Sequence, residues 1–132
     1  MVNSTNSLLN YLAYLHDARC LELTWDCSRP DERAIRMKVV IDPEVELPCW
    51  NGKTLLINLS DVVAARFMGW GYTVGEDCID NWRQGVSDFL ERECKVLILK
   101  GITVPSLKFT ISFRSGSELE VICSEASALV AD

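Results

Sequence analysis

The stretch Leu107–Cys123, "LKFTISFRSGSELEVIC", decides the fold. Leu107, Phe109, Ile111 and Phe113 alternate with Lys108, Thr110, Ser112 and Arg114. A period of two is that of a strand with one buried and one wet face. The period resumes in Leu119, Val121 and Cys123, so the two strands are expected to form a hairpin. Every inward residue carries an odd number, so facing partners must sum to an even number. A three-residue loop satisfies this, whereas a two-residue loop sets Phe113 against a glutamate. With Ser115–Ser117 as the loop, Phe113 faces Leu119, Ile111 faces Val121 and Phe109 faces Cys123. Arg114 then lies across from Glu118 on the wet face, a favourable pair.

Upstream, the same period runs through "CLELTWDC" (Leu21, Leu23, Trp25, Cys27) and "RAIRMKVVID" (Ile35, Met37, Val39, Ile41). The turn chemistry of "SRPDER" between them predicts another hairpin. Pro43 and Pro48 exclude a central strand over Asp42–Trp50. Asn51-Gly52 marks a turn into "KTLLINL", where Leu55, Ile57 and Leu59 share a face. "DVVAARFMGW" continues as a strand, with Val63, Ala65 and Phe67 on one side. Two segments break the alternation. Asn3–His16 begins with the cap-type residues Asn3 and Ser4 and places Leu8, Leu9, Leu12 and Leu15 on one side of a short helix. Val86, Phe89 and Leu90 have the spacing of a short helix after the glycine-rich segment, with Ser87 and Asp88 as candidate caps. "KVLILKGITVP" is apolar and β-prone but fits either element. The expectation is a mainly β (α+β) chain: an antiparallel β-sandwich or open barrel with an N-terminal helix and one short internal helix.

At 132 residues the chain fits one domain, residues 1–132, able to bury a core without staples. A net charge of −6 repels phosphate backbones and anionic lipid, and Arg29, Arg33, Arg36 and Lys38 are interleaved with Asp31 and Glu32. Neither nucleic acid nor membrane is an expected partner. The first twenty residues lack a basic n-region and a small-residue cleavage site, so a cytoplasmic location is expected, where the six cysteines stay reduced. A single His and no two-residue cysteine spacing argue against zinc.

The candidate chemistry lies in "GWGYTVGEDC", Gly69–Cys78. Gly69, Gly71 and Gly75 resemble a relaxed dinucleotide fingerprint, but Glu76, Asp77 and Asp80 would repel a phosphate, and no parallel βαβ pattern surrounds them. Cys78 sits among acids that disfavour its thiolate, and His16 is the only imidazole. Glu76, Asp77 and Asp80 do not alternate as a calcium loop requires. His16 is expected to cap the first helix, and Asp17 to bind backbone amides in the following turn. No catalytic residue, metal or cofactor is assigned.

Residues 61–94 carry seven acidic side chains against three basic ones, together with Trp70, Tyr72 and Trp82. Aromatics give contact area at low entropic cost, and acids steer a basic partner. Trp70, Tyr72, Glu76, Asp77, Asp80 and Trp82 are therefore the candidate partner-binding residues. Equally compatible is a core position for Trp70 and Trp82.

"LHDAR" before the first long strand, "GKTLLINLSDV" and "FTISFRSGSELEVIC" together resemble small bacterial immunity-type proteins of toxin–immunity systems. Such proteins are encoded beside secreted toxins. The resemblance spans most of the chain and implies a non-catalytic cytosolic protein that neutralises a cognate toxin by binding it. It carries over no residue set. A basic toxin is the partner that the acidic segment suits. The alternative is a β-sandwich that binds a small molecule or carbohydrate through the same aromatics. A homodimer through the edge segment holding Pro48 is compatible with either.

Overall fold

The computed structural model describes residues 2–3, 5–29, 32–46, 50–69, 77–85 and 87–131. Its strands are β1 (Val2–Asn3), β2 (Arg19–Arg29), β3 (Glu32–Val40), β4 (Thr54–Ser60), β5 (Ala64–Met68), β6 (Asp77–Gln84), β7 (Leu107–Phe113), β8 (Glu118–Cys123) and β9 (Glu125–Ala131). Two helices accompany them, α1 (Thr5–Asn10) and α2 (Asp88–Leu99), and a 3-10 turn spans Leu12–Leu15. The strand order is β1-β9-β4-β3-β2-β6-β7-β8-β5, antiparallel throughout. No helix among the described residues is long and apolar enough to cross a membrane.

β4 with β5, and β8 with β9, act as two long strands bent at a joint. The pairs Ser60↔Glu125 and Ala64↔Ile122 lie on either side of it, so one ribbon advances a residue further than the other. That mismatch is a β-bulge, which bends and twists a strand. Asp61 takes φ 53° there, and Val63 N–H to the Ile122 carbonyl (3.0 Å) and Ser124 N–H to the Ser60 carbonyl (3.1 Å) hold the joint. Bent in this way, the sheet curls until β6 meets β2. Among the described residues Arg19↔Cys78 and Cys20↔Asp77 pair at that seam, and the barrel is not closed.

Inside lie the alternating residues expected from the sequence: Ile35, Met37, Val39, Leu55, Ile57, Leu59, Phe109, Ile111, Leu119 and Val121 are buried. The terminal hairpin has its faces as predicted but its register shifted by two residues. Leu107 faces Cys123, Phe109 faces Val121 and Ile111 faces Leu119. Gly116 explains the shift. It takes φ 92°, and its N–H donates to the Phe113 carbonyl (3.0 Å), so it closes a three-residue loop, Arg114–Gly116. Such loops end on a left-handed residue. Glu118 consequently faces Ser112, and Arg114 is freed from the ladder.

At the N-terminus Val2–Asn3 pairs with β9 rather than capping a helix, and the predicted helix divides into α1 and the 3-10 turn. Leu8, Leu12 and Leu15 are buried as expected. The internal helix is longer than expected, because "KVLIL" completes α2. Ser87 caps its start, accepting the Leu90 N–H on Oγ (3.1 Å). At its end Ile102 N–H reaches the Leu97 carbonyl (2.9 Å) and Gly101 N–H the Ile98 carbonyl (3.0 Å), with Gly101 at φ 75°. This paired arrangement is a Schellman motif. Leu90 and Leu97 pack on Ile122, on the face of β8 opposite the main core.

Candidate functional site

β6 carries the predicted contact residues that the structure describes. Ile79 faces Phe113, yet Asn81 faces Ser112, so Asp80 is an extra residue in β6. This second bulge changes which side chains point inward. Ile79 is buried, and so is Trp82, although three positions of plain alternation would set them on opposite faces. Trp82 is 5% exposed and stands edge-on to Phe109, with centroids 5.7 Å apart. It belongs to the core, the position that the sequence left equally open for it. Asp80 points outward, with 59% of its side chain exposed. Asp77 opens β6 in pairing with Cys20. Trp70, Tyr72 and Glu76 lie outside the described residues, as does Pro48.

Asp80 belongs to a charged cluster at the seam. The Asp17 N–H donates to the Ile79 carbonyl (2.8 Å), and the Ile79 N–H to the Ala18 carbonyl (2.9 Å). These bonds pin the 3-10 turn against β6. His16 then has Nδ1 3.2 Å from Asp17 and Nε2 4.0 Å from Asp80. The Arg114 guanidinium pairs with the Asp17 carboxylate, while its backbone N–H donates to the Cys78 carbonyl (2.9 Å). Asp17, expected to bind backbone amides, engages two side chains instead. His16 follows the 3-10 turn as its C-cap, with its imidazole between two carboxylates. Arg114 could not be placed here from the sequence, because the misassigned loop left it in a strand.

In its residue types, an imidazole between two carboxylates, the cluster has the make-up of a general acid–base site. Elsewhere among the described residues one open cleft is lined by Trp25, Arg33, Val63 and Phe89, and another by Lys38, Leu56, Asn58 and Leu129. Among the described residues no group of three or more His, Cys, Asp or Glu side chains is arranged to hold a metal ion. What the cluster offers is an exposed, hydrogen-bonding charged surface.

Trp25 is a candidate that periodicity hides. It pairs with the buried Ile35, yet is 43% exposed. With Val63 and Phe89 it lines a cleft of about 400 Å³. No protein-family model matches this chain, and no curated protein compared with it matches either.

Proposed function

We propose that the chain is a cytosolic, non-catalytic binding protein of the bacterial immunity type, which neutralises a basic toxin by covering part of its surface. The contact surface in this reading is the acidic start of β6, with Asp77 and Asp80, joined in sequence to Trp70, Tyr72 and Glu76.

The observation that carries the reading is the Asp80 bulge. A bulge interrupts the ladder to aim one side chain, and such devices concentrate at functional sites. Here it aims a carboxylate into solvent beside His16 while sending Trp82 into the core. The charge balance of residues 61–94 supports the same reading. Arg66, one of three cations in residues 61–94, is held by Glu120 through Nε (3.1 Å) and Nη2 (2.8 Å). Asp61, Asp80, Asp88 and Glu91 are exposed. An acidic excess of this kind raises the association rate with a cationic partner more than its final affinity.

The test is growth rescue. The protein encoded beside this chain's gene is induced in bacteria together with the chain, as wild type, Asp80→Lys or Trp70→Ala. Rescue by the wild type, weakened at least tenfold in colony count by Asp80→Lys, is expected. Full rescue by both variants would remove the proposed surface, and no rescue by any folded form would remove the immunity role.

A further inference from the structure

α2 ends in open apolar surface. Leu90 and Leu97 pack on Ile122 of β8, yet Val96 is 41% exposed, Ile98 64% and Leu99 87%. The Schellman turn adds Ile102, 43% exposed, at the same end of the helix. Residues 98–103 are exposed without a break. At about 100° per residue, Ile98, Leu99 and Val96 span an arc of about 160° centred opposite the buried Leu97. The apolar residues therefore wrap the outer side of the helix end.

Charge is graded along that side. Arg92, Lys95 and Lys100 are exposed around the apolar end, whereas Asp88 and Glu91 stand at the start of the helix. At about 1.5 Å per residue, Lys95 lies roughly 6 Å behind Leu99, Glu91 roughly 12 Å and Asp88 roughly 16 Å. Glu93, half-buried, lies roughly 9 Å behind it. Screening at physiological salt acts over about 8 Å, so a surface touching the helix end feels the lysines much more than the acids. The Lys95–Glu91 pair, at 4.0 Å and largely solvated, does little to cancel this. Further along, residues 94–117 contain Lys95, Lys100, Lys108 and Arg114 and no acid. The net charge of −6, which argues against lipid for the chain as a whole, is carried by other segments.

We propose that the C-terminal end of α2 docks on the surface of an anionic lipid bilayer. Val96, Ile98, Leu99 and Ile102 enter the headgroup boundary, and Arg92, Lys95 and Lys100 reach the lipid phosphates. Interfacial contacts of this kind join buried aliphatic area to cations that extend back to the headgroups. The contact is peripheral, since α2 has 12 residues and is too short to span. Two other occupants fit this surface less well. A protein groove takes a single stripe of a helix and is anchored by aromatics; here the apolar residues spread over a broad arc and are all aliphatic. A second copy would meet the end through the same patch. That would set Lys95 and Lys100 against their own counterparts. This surface is separate from Asp80 and stands whether or not the immunity reading does.

The probe is vesicles of phosphatidylcholine containing about one-third phosphatidylglycerol, compared with vesicles of phosphatidylcholine alone. Partitioning is read by co-sedimentation, and amide exchange along the whole chain by mass spectrometry. The wild type is expected to partition at least tenfold better into the anionic vesicles, with exchange in residues 98–102 slowed at least fivefold. Ile98→Ser/Leu99→Ser should cut that binding at least tenfold, whereas Leu56→Ser, at an exposed leucine of β4, should leave it unchanged. Lys95→Glu/Lys100→Glu should abolish the preference for the anionic vesicles. All four substituted positions at the helix end are exposed, and the protection pattern of the wild type tests the proposal without any variant. Equal partitioning into both vesicles, protection away from residues 98–102, or undiminished binding of the folded serine variant would overturn it. So would equal protection of these residues by soluble poly-glutamate, which would make an acidic protein the occupant. Sedimentation as a dimer that the serine variant dissolves would make it a second copy.

Discussion

Gly116 holds φ 92° at the end of the Arg114–Gly116 loop, a conformation that costs an L side chain about 1–2 kcal/mol. Gly116→Ala is therefore expected to lower unfolding stability by about 1 kcal/mol, read as a lower urea midpoint at unchanged slope. The same torsion accounts for the shifted register. A glycine inside "RSGS" could occupy several loop positions, and only its need for positive φ places it last. Gly69 is constrained differently: a Cβ there would lie 2.9 Å from the Cα of Ser117, so the position requires close backbone approach. Cys123 gives a prediction in pH. Burial, and secondarily the charge of Asp61, push its thiol from 9.0 up to about 12. The folded chain thus keeps a proton that the unfolded chain has lost between those values. Its contribution is intact below pH 9 and falls by about 1.4 kcal/mol per unit as pH rises towards 12. Cys123→Ala should flatten that alkaline decline in a series of urea melts, whatever its effect at neutral pH.

At the scale of elements, α2 is fastened to the sheet by a buried charge. Glu120 is 5% exposed, and its carboxylate is held by Arg66 of β5, whose guanidinium also lies over Phe89 of α2. Removing the cation leaves a buried carboxylate unpaired, which costs roughly 3–5 kcal/mol. Arg66→Met should lose an amount of that order in chemical denaturation, and the double variant Arg66→Met/Glu120→Leu should recover most of it. Ser87→Ala should cost about 1 kcal/mol by releasing the Leu90 amide from its cap. α2 also shows what the sequence concealed. Val96, Ile98 and Leu99 are exposed, so the run "VLIL" looks like a strand although only Leu97 is buried. Ser87 and Gly101 bracket the helix, and reading them as a pair of caps would have given its length. The strand faces were legible, because Leu55, Ile57 and Leu59 repeat without interruption. The bulges were not, because Asp61 and Asp80 carry no local signal distinguishing them from loop acids. The candidate site suffered accordingly: without the Asp80 bulge, nothing in "DCIDNWRQ" tells a surface Trp82 from a buried one.

At the scale of the whole molecule, the barrel is unevenly joined. Among the described residues β4 is laddered along its full length to β3 and β9, whereas β2 and β6 share two residue pairs. Four further contacts among the described residues join the seam: Asp17 to Ile79, Ile79 to Ala18, and Arg114, reaching from the β7–β8 loop, to Cys78 and to Asp17. His16 and Asp80 sit on this same seam, so the proposed acidic surface rests where β2 and β6 share two described pairs. Strength there is limited, since the Arg114 and Asp17 side chains are 54% and 38% exposed. An ion pair so solvated is worth at most about 1 kcal/mol, or roughly a fivefold change in a local opening equilibrium. Arg114→Ala should therefore speed amide exchange at Ile79 by up to about fivefold, and 1 M salt should reproduce much of that in the wild type. Amides of β4 should keep their rates in both experiments, since they report opening of the fully paired strands. Equal acceleration at Ile79 and Ile57 would mean that the seam and the core open as one unit. The open barrel would then owe its cohesion to the ring of strands as a whole, and the Asp80 surface could not shift without unfolding.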